Sequence, residues 1–196
     1  MAKPIIDIYN KNNDLQIICL LIYLFYKKLS IHRTMKKKTT NVLLCGVGGQ
    51  GVVLASEILA QVAFIEGWDV KKSEIHGLSQ LGGGVDSSIR WGHKVYSPII
   101  PEGTVDFLVA FLAEEVTTHA HRINTSTGII KGTEIEYEKL PHIKCANIYM
   151  LGRLAHYIDF KEDNWEKAMA EKLKPKLLEM NLKAFYMGKK KELEGG

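Results

Sequence analysis

The residues with the clearest chemical potential are glycines. In Gly46-Val47-Gly48-Gly49-Gln50-Gly51, residues Gly46, Gly48 and Gly51 match the pattern G-x-G-x-x-G. Gly46 allows a tight turn off a strand, Gly48 and Gly49 let backbone approach a ligand, and Gly51 lets helix and strand pack closely. The free N–H groups of a helix start favour an anion. The bland alternative is a tight turn that binds nothing. A nicotinamide dinucleotide requires an acidic residue about 20 positions further on. That region reads Val70-Lys71-Lys72-Ser73, and Glu74 comes a few residues late. Lys71 and Lys72 argue against NAD and suit a phosphorylated ribose, as in NADP or coenzyme A.

A second cluster follows in SEIHGLSQLGGGVDSSIRWG, residues 73–92. Two glycine-rich loops at neighbouring strand ends would face each other across one crevice and suit a large phosphate ligand or another subunit's active site. His76 is the candidate catalytic residue, since its ring titrates near neutrality; a histidine that merely braces the turn is the equal alternative. Ser79 and Gln80 are polar loop residues without a visible base to activate them. With Gly82, Gly83 and Arg90 they complete the candidate binding set of Gly46, Gly48, Gly49, Gln50, Gly51, Lys71 and Lys72. Arg90 and Lys94 could instead be a solvated strand edge.

These loops need strands and helices to hold them. NVLLCGV is a continuous apolar run ended by glycine and reads as a buried strand, with Cys45 as a small core residue. Leu54, Ile58, Leu59, Val62 and Ile65 form one face of a helix that Gly67 ends. WDVKKSEI is a second strand, so the chain opens with a Rossmann-like βαβ unit. VDSSIRW alternates as a strand, and Gly92-His93 is a candidate two-residue turn into a strand at KVYSPII. TVDFLVAF is a further buried strand. Helices are expected over 113–122, over 147–158, and over 164–188 with a break near Pro175. Asn181 reads as a structural residue bonding backbone. The predicted fold is a three-layer α/β/α domain whose sheet is mostly parallel with an antiparallel hairpin.

Composition narrows the function classes. The 196 residues are 46% hydrophobic and 24% charged with a formal charge of +4, as expected of a globular domain. The lysine runs at 36–38 and 189–191 read as solvated tails, so nucleic acid is not an expected partner. Cys19, Cys45 and Cys145 form no CxxC pair, which argues against a zinc or iron–sulfur centre built by this chain alone and fits a reducing cytoplasm. Residues 1–34 contain no glycine and are rich in Ile, Leu, Asn, Lys and Tyr. Their apolar stretch, 17–26, is about half the ~20 residues of a membrane span. This segment is either an added amphipathic helix, a surface anchor, or sequence upstream of the true start at Met35. Residues 35–196 then form the domain.

Five segments in order resemble a known family: GVGGQG; EIHGLSQLGGG followed by SSIRWG; SPIIPEGTVDFLVAF; NIYMLG; and EMNLKAFYMG. They are similar to the gamma-type domain of 2-oxoacid:ferredoxin oxidoreductases, most closely the small beta subunit of the indolepyruvate enzymes. The resemblance implies a cytoplasmic hetero-oligomer. Its large partner subunit carries thiamine diphosphate and iron–sulfur clusters, decarboxylates an aryl 2-oxoacid such as indolepyruvate, passes electrons to ferredoxin and transfers the acyl group to coenzyme A. It implies that this chain holds no cofactor of its own and is inert alone. Leu78 and Leu81 stand where the family usually has Met and Arg, and the stretch from Phe111 to Asn147 is shorter than usual. Three alternatives stay open. A ubiquitin-activating-type adenylating protein would add CxxC pairs. An NADP-dependent reductase leaves HGLSQLGGG unexplained. A subunit that has lost chemistry would serve assembly only.

Overall fold

A computed structural model describes residues 39–77 and 83–194. The N-terminal extension and the expectations placed on Leu78, Ser79, Gln80, Leu81 and Gly82 lie outside the described residues. The elements are β1 (Thr40–Val47), α1 (Val52–Ile65), β2 (Asp69–His76), β3 (Gly84–Gly92), β4 (Phe107–Ala110), α2 (Ala113–Thr118), β5 (Gly128–Lys131), α3 (Ala146–Ala155), α4 (Glu162–Lys172) and α5 (Pro175–Glu194).

The five strands lie in the order β2-β3-β1-β4-β5. β1 pairs in parallel with β4, and β4 with β5; β3 runs antiparallel to both β1 and β2. Four strands therefore point one way and β3 alone opposes them, the mostly parallel sheet with one antiparallel hairpin that the sequence predicts. The opening β1-α1-β2 unit is present, but β3 is inserted between its two strands. The hairpin itself is β2–β3, not the expected turn at Gly92-His93. Lys94 to Ile100 form no strand. The physical reasons are local. β2 already occupies the free edge of β3, and Pro98 and Pro101 lack the N–H a ladder needs. Side chains hold the segment elsewhere: Arg90 Nη1 donates to the Ser97 and Ile99 carbonyls, 2.7 Å each, and Asp69 accepts from the Val95 N–H at 2.8 Å.

Alternation along the strands gives the sheet two different faces. Val42, Leu44, Ile89, Trp91 and Val109 face one way and pack under α1, α3, α4 and α5. Leu43, Cys45, Leu108 and Ala110 face the other way, where, among the described residues, α2, the 93–106 loop and the segment at Ile123 cover them, through residues such as Ile100, Val105 and Val116. Among the described residues the three layers are thus unequal. α1 ends as predicted: Gly67 has φ +85°, its N–H bonds Phe64 O at 2.9 Å and the Trp68 N–H bonds Ala63 O at 3.1 Å, a Schellman ending. Leu173 is extended and Pro175 opens α5, which places the predicted break.

The crossing of α3 and α5 explains two of the glycine-bearing segments. A Cβ on Gly152 would lie 2.0 Å from Phe185 O, and one on Gly188 would lie 2.1 Å from Tyr149 O. The two backbones touch, and only glycine fits at either position. NIYMLG and EMNLKAFYMG therefore serve packing. Asn181 bonds the Leu177 carbonyl at 2.7 Å within α5, a structural role as expected.

Candidate functional site

The site forms where β1 ends, α1 begins and the β2–β3 connection returns. Gly46 is still in β1, and a Cβ there would meet Gln50 Oε1 at 2.5 Å and Phe111 Cβ at 2.8 Å. Gln50 folds back over the turn: its Oε1 accepts from the Val47 N–H at 2.9 Å and its own N–H bonds Val47 O at 3.2 Å. Gly49 and Gly51 adopt left-handed backbone, φ +96° and +79°, where a side chain would be strained. Gly48 has no positive φ; its N–H instead bonds Gly83 O at 2.9 Å, while the Gly77 N–H bonds Gly84 O at 2.8 Å. The two glycine clusters are stitched together by backbone, as their facing positions suggest, although the strand between their parent strands is antiparallel.

The result is a cleft of about 590 Å³. Its floor is Gly48, Gly49 and the first turn of α1; Val85, Gly77 and His76 form the opposite wall. No side chain caps α1 and its first turn has no acidic residue. The N–H groups of Val52, Val53 and Leu54 have no intrahelical acceptor by geometry and carry the positive end of the helix dipole. Glu57 also reaches the lining, one turn further in. Asn147, at the start of α3, buttresses the loop from behind: its Nδ2 donates to Gly51 O at 3.1 Å. Sequence reasoning gave Asn147 no role. Its only signal was a polar residue heading an otherwise apolar helix.

The predicted site residues divide. Gly48, Gly49, Gly51 and His76 share the cleft. His76 is exposed there, with Nε2 3.2 Å from Glu74 Oε2. Burial works to raise the Glu74 pKa, but the hydrogen bond and charge of Lys72, and then those of His76, hold it below the ordinary carboxylate range. Lys71 and Lys72 are not among the lining residues; they pair along β2 with Asp69 and Glu74. Lys71 is on the opposite face from the cleft, opposite Arg90 in register. Arg90 spends its guanidinium on Asn41, Ser97 and Ile99, and Lys94 lies over the Tyr96 ring. The cleft therefore has backbone donors, valines, one histidine and one glutamate, and no lysine or arginine among its described lining.

A family model described as pyruvate ferredoxin/flavodoxin oxidoreductase matches residues 41–144, which include every element of this site except Asn147. The chain belongs to that family. Among its relatives, the indolepyruvate oxidoreductase subunit IorB of Archaeoglobus fulgidus is 29% identical over 79% of this chain and 96% of its own. The subunit of the same name from Methanothermobacter thermautotrophicus is 30% identical over 76% and 95%. The fold is shared with the gamma subunit of a keto/oxoacid ferredoxin oxidoreductase from Geobacter sulfurreducens (21% identity, 81% of this chain and 98% of that one, TM-score 0.69). It is also shared with 32% of the chain of the Magnetococcus marinus 2-oxoglutarate:ferredoxin oxidoreductase, solved with 2-oxoglutarate, coenzyme A and succinyl-CoA bound (19% identity, 82% of this chain, TM-score 0.71). In the doubly wound dinucleotide fold β2 lies beside β1 and parallel to it; the antiparallel β3 inserted between them here departs from that arrangement.

Proposed function

We propose that this chain is the small subunit of a ferredoxin-linked 2-oxoacid oxidoreductase that acts on an aryl pyruvate of the indolepyruvate class. The observation that carries the proposal is the match to indolepyruvate oxidoreductase subunits along almost their whole length. In this reading a large partner subunit holds thiamine diphosphate and iron–sulfur clusters, ferredoxin docks to the complex, and coenzyme A is the acyl acceptor. This chain is inert alone.

The glycine cleft is then this chain's contribution to the coenzyme A path. The open α1 start favours an acceptor atom, such as an amide or phosphate oxygen. Gly49, with nothing within 4 Å of a built Cβ, leaves the approach clear. The valine walls suit an aliphatic arm. The cations that full phosphate neutralisation calls for come from outside the described lining. His76, fixed by Glu74, sits at the mouth, where it can donate to a ligand or order a partner loop. In this reading the chain binds and orients, and the partner makes the bonds.

The test is purification of the chain from its source under anaerobic conditions. The expected result is one larger partner with iron–sulfur absorbance and bound thiamine diphosphate. A chain that purifies alone and oxidises a 2-oxoacid, or adenylates a protein, refutes the proposal.

A further inference from the structure

The α2 face of the sheet carries a polar cluster that the proposed function does not use. Cys45 of β1 is fully buried. Glu115 of α2 and His119, one turn later, close over it. Sγ of Cys45, a carboxylate oxygen of Glu115 and a ring nitrogen of His119 all lie within 4.8 Å of one another. His119 is only 5% exposed. Its Nδ1 is 2.9 Å from the Glu115 carbonyl and 3.4 Å from the Glu115 carboxylate. Its Nε2 is 2.8 Å from Oδ2 of Asp86, the residue opposite Cys45 in the β1–β3 register. Arg122 Nη1 stands 3.8 Å from the same oxygen.

We propose that Cys45, Glu115 and His119 bind one divalent transition-metal ion of the zinc or ferrous class, with Asp86 orienting the histidine. Thiolate, imidazole and carboxylate together are the donor set such ions select. Tetrahedral coordination at zinc bond lengths puts donors about 3.4–3.6 Å apart, so the three side chains draw in by roughly 1 Å. The Nδ1 proton now directed at Glu115 is the one displaced, while Nε2–H keeps its bond to Asp86. That is the carboxylate–histidine–metal arrangement that fixes tautomer and ring plane.

Charge supports the site. With a neutral thiol and an imidazolium, two carboxylates balance His119 and Arg122. A dication that displaces the thiol proton and the Nδ1 proton leaves the sum unchanged. No net charge is added to a half-buried region. Arg122 stays as counter-ion to Asp86. Sequence spacing hid this site, because Cys45 lies on the first strand and its co-ligands on a helix far along the chain.

The competing reading is an ion-paired latch that merely ties α2 to β3, in which the Cys45 thiol does no more than point at Val109 O, 3.7 Å away. Titration of the full chain with Co²⁺ separates the two. Binding of one equivalent is expected to give a near-ultraviolet thiolate-to-cobalt charge-transfer band and to release about two protons. Cys45→Ser abolishes the band, Cys145→Ala keeps it, and His119→Gln independently loses the ion. Asp86→Asn keeps the band and weakens affinity about 10–100-fold. A folded wild-type chain with no such band overturns the proposal, as does a band that survives both Cys45→Ser and His119→Gln.

Discussion

Replacing Gly51 by alanine isolates the loop's two demands, conformation and space. At φ +79° a side chain costs about 1–2 kcal/mol. The new Cβ would also lie 2.4 Å from Asn147 Nδ2 and 2.9 Å from its Cγ. The amide can swing away, but then its 3.1 Å bond to Gly51 O is lost, about 1 kcal/mol. Gly51→Ala should therefore cost about 2–3 kcal/mol, or roughly 4–12 °C in Tm for a domain of this size. Gly49→Ala supplies the control: the same left-handed backbone at φ +96°, nothing within 4 Å, and so the conformational cost alone. Asn147→Ala by itself should lose about 1 kcal/mol. In Gly51→Ala/Asn147→Ala the 2.4 Å and 2.9 Å contacts are gone and only the tight 3.3 Å contact with the residue 147 Cβ remains, so the pair should be less destabilised than the sum by about 1 kcal/mol. Urea denaturation of all four variants gives the cycle. Strict additivity would show that Asn147 does not brace Gly51 and that the loop is held some other way.

Gly152→Ala or Gly188→Ala should push α3 and α5 apart and destabilise by about 1–3 kcal/mol or more, since the obstructing atoms are backbone; unchanged melting would mean the helices do not cross at these glycines. In metal-free buffer, the hydrogen bond that His119 donates to the Asp86 carboxylate raises the His119 pKa from its ordinary 6.5, with burial opposing and the Glu115 contacts assisting. That contribution is fully present below the unfolded value and is lost as pH rises through the folded one, and the raised pKa of half-buried Glu115 acts in the same direction. The urea midpoint should fall with rising pH in this window, and His119→Gln should flatten the fall. Lys71→Ala/Lys72→Ala should leave the coenzyme A Michaelis constant of the complex within about twofold, because the two lysines pair with Asp69 and Glu74 outside the cleft, whereas Gly49→Val should raise it about tenfold, the cost of one lost polar contact. The reverse ranking would move the nucleotide site to the β2 edge.

What the sequence made legible was local. The strand–glycine–helix order, the Gly67 ending and the break at Pro175 each follow from one segment's own backbone chemistry. What it hid was pairing. Nothing in VDSSIRW says that it will insert antiparallel between β1 and β2, because that choice depends on which edges are free once the chain has folded. Lys71 and Lys72 read as phosphate ligands by charge alone; the structure pairs them with Asp69 and Glu74, two residues away on the same strand. Asn147 and the Cys45–His119 cluster were invisible for a different reason: each joins residues far apart in the chain. The glycines of NIYMLG and EMNLKAFYMG could be quoted as a resemblance, but their helix-crossing role needed the two backbones side by side.

The central claim is that this chain works only as one part of a 2-oxoacid oxidoreductase. Its most direct test is reconstitution: the chain and its co-purifying partner, prepared separately, are assayed alone and mixed, with indolepyruvate, coenzyme A, thiamine diphosphate and a viologen acceptor. The account predicts no turnover by this chain, and coenzyme A-dependent viologen reduction when the two are combined. Turnover by this chain alone, or a partner whose rate and coenzyme A dependence do not change when the chain is added, would contradict it.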